Sequence, residues 1–141
     1  RKVEAKETTM GKLRHGADLL EEITGICKDR GIRLGRVEAI GAVSRACVGY
    51  YNQETREYEF HTLDEPLEIV SLKGNISIKD GEPMVHAHVT LADRAGKAFG
   101  GHLAAGTIVF ACEWVIEAFE GPAFERGYDE ETGLPLWTME E

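Results

Sequence analysis

At 141 residues the chain suits one domain, and 43% hydrophobic residues are enough to build a real core. A formal charge of −9 repels phosphate on average, so duplex DNA and anionic lipid are both poor partners on charge grounds. No run of about 18 apolar residues and no secretory signal occurs, and Cys27, Cys47 and Cys112 are scattered through apolar segments, which reads as free thiols in a reducing, cytoplasmic setting.

Residues 1–14 are polar and charged, with Val3, Met10 and Leu13 as the spaced apolar positions of an opening strand. Asp18 followed by Glu21 matches a helix N-cap with a capping box. Leu19, Leu20, Ile23, Ile26 and Cys27 then recur at helical spacing until Gly31 ends the pattern. Residues 37–43 and 46–51 read as two strands broken near Gly41 and Ser44, and Asn52 to Thr55 as a turn into a strand over 58–63. In the run 67–79, Val70, Leu72, Ile76 and Ile78 are expected on one face, with Ser71, Lys73, Asn75 and Ser77 on the other.

Asp80-Gly81 then turns the chain into the stretch that carries the chemistry. Residues 85–92 and 98–103 read as a hairpin turned at Asp93, Arg94 and Gly96. Alternation puts Val85, Ala87, Val89 and Leu91 on one face and His86, His88 and Thr90 on the other. Setting Leu91 opposite Phe99 unites the apolar residues of both strands and brings His102 opposite His88, whereas a shift of one residue would split the apolar set. Cross-strand neighbours lie about 5 Å apart at Cβ. Three imidazoles at that spacing can converge on zinc or a similar divalent metal. The plainer alternative is a solvated polar face whose imidazoles bond to water. Gly100 and Gly101 leave room beside the site for a ligand or another backbone.

After Gly106, the residues Ile108, Phe110, Cys112, Trp114 and Ile116 alternate with Glu113 and Glu117 on the opposite face. Glu113 is a candidate to face the histidines, with an ordinary outward carboxylate as its alternative. From Gly121 the composition predicts an irregular tail, with Leu134, Leu136 and Trp137 able to dock against a neighbouring subunit. One principal helix and about seven strands give an α+β class: a large twisted, mainly antiparallel sheet with the helix packed on one face, spanning 1–141 as a single domain.

Several ordered blocks carry a resemblance that covers nearly the whole chain. They are Gly16-Ala17-Asp18-Leu19, Ala39-Ile40-Gly41-Ala42-Val43-Ser44 and the run from Pro66-Leu67-Glu68 to Lys73-Gly74-Asn75. The series continues through His86-Ala87-His88, Gly100-Gly101-His102-Leu103 and the tail Tyr128-Asp129-Glu130-Glu131-Thr132-Gly133. Together they resemble the plant-and-prokaryote-conserved domain, abbreviated PPC, which also occurs in plant AT-hook nuclear proteins. The resemblance implies an α+β homotrimer and, as in some prokaryotic members, a metal held by His86, His88 and His102. It also implies a DNA-associated or regulatory role, with DNA or a regulatory protein as partner. The Arg-Gly-Arg-Pro segment of an AT-hook is missing, and Leu34-Gly35-Arg36-Val37 is its nearest approach. With the acidic charge, this disfavours direct DNA binding.

At the level of fold the domain also looks like zinc-dependent acetolactate decarboxylase. That likeness implies an alternative, a zinc enzyme acting on a small carbonyl or carboxylate compound, with Glu113 or Arg94 as helpers. A second alternative is a structural trimer whose histidines are incidental.

Overall fold

The computed structural model describes residues 1–139. Its elements in chain order are β1 (Glu4–Lys12), α1 (Leu19–Asp29), β2 (Gly35–Asn52), β3 (Glu57–Leu63), β4 (Leu67–Lys79), β5 (Glu82–Ala92), β6 (Ala98–Leu103), β7 (Ile108–Glu120), β8 (Arg126–Tyr128) and β9 (Pro135–Trp137). The class is α+β, with a single helix against a large antiparallel sheet. Asp18 caps the helix by accepting from the Glu21 backbone N–H, and its other carboxylate oxygen accepts from Gly106 N–H in the turn before β7. One side chain thus starts the helix and ties it to the sheet. Leu19, Ile23 and Cys27 are buried, and the helix lies against β5.

Seven strands follow the order β1-β7-β2-β4-β5-β6, with β3 paired to β2 and β6 also reaching β2. The first half of β2 lies between β7 and β4, while its second half pairs with β3 and touches β6 at Val48 and Gly49. β2 is one strand of 18 residues where two were expected. Its register slips between Ala39 and Gly41, Ala42 and Val43, and Val43 and Arg45. Bulges bend a strand without ending it, so the sequence signs of a break mark a bend instead. Gly41 sits at φ 149°, and a Cβ there would run into the carbonyl of Ala111 and the Cα of Cys112. Gly41→Ala is expected to cost roughly 2–3 kcal/mol in stability, the range of a strained backbone plus a buried clash. A thermal or urea midpoint equal to wild type would contradict this.

A second bulge corrects the reading of β4. Ile69 pairs with Leu91 and Ser71 with Thr90, leaving Val70 as the extra residue. Val70 is therefore 53% exposed, and Ile69 takes its place in the core with Leu72, Ile76 and Ile78. The tail is corrected as well. β8 and β9 form a small hairpin, so the segment is ordered rather than irregular. It packs on its own chain: Ile78 N–H donates to Phe124 O, Tyr51 donates to Thr132 O, and Arg56 donates to the carbonyls of Glu130 and Glu131. All three cysteines are free, with Cys27 and Cys112 buried and Cys47 half-buried. Among the described residues no helix is long and apolar enough to cross a membrane.

Candidate metal centre

The β5–β6 hairpin has the expected register, with Leu91 opposite Phe99 and His88 opposite His102. Ala87, Val89 and Leu91 are buried beneath the sheet, which turns the alternate residues His86 and His88 to the face away from the core. His88 meets His86 and His102 edge to face, with centroids 5.2 Å and 5.6 Å apart, while His86 and His102 are tilted at 5.1 Å. One nitrogen from each ring lies within 4.8 Å of the others. Around an ion at about 2.0–2.1 Å, tetrahedral ligand nitrogens sit roughly 3.4 Å apart. The nitrogens stand wider than that, so the rings would turn toward an ion on binding it.

The donor set fits a metal in two further respects. His102 Nδ1 is buried without a hydrogen-bond partner, a costly state that a ligand would relieve. The His86 pKa is pushed down to about 4, first by burial and then by His102, Arg126 and His88. Burial and His88 likewise lower that of His102. His86 and His102 are therefore neutral near pH 7, the form that ligates metals. The three histidines would supply nitrogen ligands, and the ion would act as a Lewis acid at any remaining position.

The surroundings contain residues that the local pattern did not single out. Tyr58 of β3 packs on His102 at 4.8 Å and stacks on Phe60 at 5.8 Å. Arg126 of β8 reaches across β4, its Nε donating to Ser77 Oγ at 2.8 Å and its Nη2 to Asn75 Oδ1 at 2.9 Å. Asn75 is the cross-strand partner of His86. The strict alternation of Tyr58 with Phe60 was a usable signal for the first. No local signal pointed to the second, because Arg126 arrives through the tail.

Glu113 and Arg94 stand elsewhere. Glu113 of β7 pairs with Lys12 and Ile40, and β2 and β4 separate its strand from β5. Arg94 occupies the β5–β6 turn beside Asp93 and lines a groove with Pro66 and Phe110. The glycines serve the backbone: a Cβ on Gly101 would come 2.6 Å from Gly49 O, and one on Gly100 would strike the Val89 carbonyl. Their role is close strand approach rather than an opening for a ligand.

Residues 1–120 match the family described as the Plants and Prokaryotes Conserved (PCC) domain. The chain belongs to the PCC-domain family. It is similar to a protein of Archaeoglobus fulgidus described as metal-containing, at 43% identity and TM-score 0.93, covering 98% of this chain and 97% of that one. A plant- and prokaryote-conserved protein of Pyrococcus horikoshii is 36% identical at TM-score 0.94, covering 99% and 96%. A candidate DNA-binding protein of Bacteroides thetaiotaomicron is 26% identical at TM-score 0.86, covering 96% of each chain. The PCC domain also matches part of the bifunctional protein GlmU of a Synechococcus strain, with 33% identity over 121 residues. The chain spans only 18% of that protein's length, although 84% of the chain takes part in the match.

Proposed function

We propose that this PCC domain is a cytoplasmic metal-binding module of a single unit, residues 1–141, which holds one divalent ion, zinc first, through His86, His88 and His102. The observation that carries the reading is the convergence of three ring nitrogens within 4.8 Å. The similar protein of Archaeoglobus fulgidus described as metal-containing supports it. We further propose a homotrimer. Met10, Ile40 and Phe110 are exposed on β1, β2 and β7, which are neighbours in the sheet, and such an apolar face is commonly covered by another subunit. The tail packs on its own chain but keeps Tyr128, Leu136 and Trp137 exposed, apolar surface that a neighbouring subunit would cover.

A DNA-associated or regulatory role draws support from the similar candidate DNA-binding protein. The net charge of −9 opposes direct contact with phosphate, so a protein partner suits this chain better. The alternative of a zinc enzyme for a small carbonyl or carboxylate compound is favoured by one feature, a three-ligand set that leaves a coordination position open. Within one chain Glu113 lies on a strand separated from β5 by β2 and β4, and Arg94 lies in the β5–β6 turn.

Light scattering and elemental analysis on a single chromatographic peak test the proposal together. Three chains and one zinc per chain are expected, and the same peak should bind random duplex DNA more weakly than about 100 μM at physiological salt. A monomer mass would remove the trimer, a metal-free peak the metal, and salt-sensitive sub-micromolar binding the doubt about DNA.

A further inference from the structure

Arg126 poses a problem of charge. Its guanidinium is half-buried, and burial lowers its pKa, yet a guanidinium stays protonated in proteins. Half-buried charges are normally paired. Among the described residues Arg126 has no ion pair, only the neutral acceptors Ser77 Oγ, Pro135 O and Asn75 Oδ1. Three of its five N–H groups are used, leaving one on each terminal nitrogen.

The side chain is held firmly where it is. The Trp137 ring lies 5.5 Å from the guanidinium carbon, and the β8–β9 pairing fixes both residues on one hairpin. Its bond to Asn75 places it beside His86 across the β4–β5 ladder, and its charge is felt at Tyr58, the residue packed on His102. Lys73 is the cross-strand partner of His88 but has Glu38 as its other neighbour. Lys73 is exposed to solvent, whereas Arg126 is the half-buried cation beside the histidines and has no ion pair among the described residues.

The histidines make the imbalance larger. Metal-bound histidines usually donate their second N–H to a carboxylate or carbonyl, but no protein carboxylate hydrogen-bonds His86, His88 or His102 among the described residues. A divalent ion on three neutral imidazoles beside an unpaired guanidinium would leave a concentrated positive charge inside a chain of net charge −9. Among the described residues no carboxylate balances that charge, and an added anion would.

We propose that this site takes a small oxygen-donor anion, a carboxylate or a sulfate-like oxyanion, shared between the metal on the three histidines and the guanidinium of Arg126. The inference rests on the metal reading above and deepens it by naming the ligand class. One oxygen fills the coordination position that three protein ligands leave open, and a second accepts from the free N–H groups of the planar fork, the geometry for which arginine suits oxyanions. Binding involves no covalent change in the anion.

Cobalt(II) loading gives a visible spectrum that reports the coordination shell. The loaded protein is titrated with sodium acetate, sodium sulfate and sodium chloride at constant ionic strength. Acetate or sulfate is expected to give a saturable spectral change at roughly tenfold or more lower concentration than chloride. Arg126→Leu should weaken that oxyanion by on the order of 10- to 100-fold, the loss expected for hydrogen bonds to a charged group. Arg126→Lys should weaken it less, because it keeps the charge and loses the fork. It also serves if the leucine variant fails to fold. Cobalt itself should bind Arg126→Leu as tightly as wild type or more tightly, since a repelling charge has gone. A merely structural arginine would weaken both ligands together. Chloride binding as well as the oxyanions, or full oxyanion affinity in the lysine and leucine variants, would overturn the inference alone. Failure of wild type to bind cobalt would remove the metal reading, and this inference with it.

Discussion

Saturating zinc is expected to raise the thermal midpoint of the wild-type domain by about 10 °C and that of His88→Ala by almost nothing. A ligand at about a thousand times its dissociation constant stabilises the folded state by about 4 kcal/mol. For a chain of this length each kcal/mol moves the midpoint by roughly 3 °C. The site requires little reorganisation, because the hydrophobic register of Leu91 with Phe99 already holds His88 opposite His102. His88 is exposed, so its removal should alter the metal-free midpoint by no more than about 0.5 kcal/mol of stability. The variant thereby separates loss of metal from loss of fold. Differential scanning calorimetry with and without zinc measures both, and equal shifts in the two proteins would place the metal somewhere other than these histidines.

Acid should destabilise the metal-free domain through His86. Burial and the neighbouring His102, Arg126 and His88 hold its pKa at about 4 in the folded chain, against an unfolded value of about 6.5. Between those values the unfolded chain takes up a proton that the folded chain refuses. The contribution is complete above about pH 6.5 and is lost as the pH falls toward 4. The unscreened effect would be about 3 kcal/mol. His86 is only half-buried, so solvent screening reduces this to about 1–2 kcal/mol. Zinc competes with the same protons and should leave in the same window. Urea unfolding at pH 7 and pH 4 should show a smaller acid loss in His86→Ala than in wild type. Equal losses would mean that His86 is as easily protonated folded as unfolded.

What could be read from sequence divides along the range of the interactions involved. The Asp18 cap, the α1 spacing and the β5–β6 register rest on residues close together in the chain, and each has the expected structure. The three-histidine alignment was legible for the same reason, since the hairpin that aligns the apolar face aligns the opposite face too. Bulges were not legible. Gly41 and Ser44 look like breaks, and only pairing with β4 and β7 shows that β2 continues through them. Val70 has an alternating neighbourhood, and only the register against β5 makes it the unpaired residue. Arg126 and Tyr58 come to the histidines from the tail and from β3, through contacts between residues far apart in sequence. Glu113 shared the right parity on its strand, but two strands intervene, a fact of strand order that parity does not contain.

If His86, His88 and His102 hold one metal ion directly, the ion's neighbours must be imidazole nitrogens. Zinc-edge X-ray absorption on the purified, zinc-loaded domain tests it most directly, because the spectrum reports the identity and distance of the coordinating atoms. Three imidazole nitrogens at about 2.0–2.1 Å are expected, with only light oxygen or nitrogen neighbours completing the shell. A sulfur shell near 2.3 Å would assign the zinc to cysteine, and an edge fitted by water oxygens alone would contradict the histidine centre.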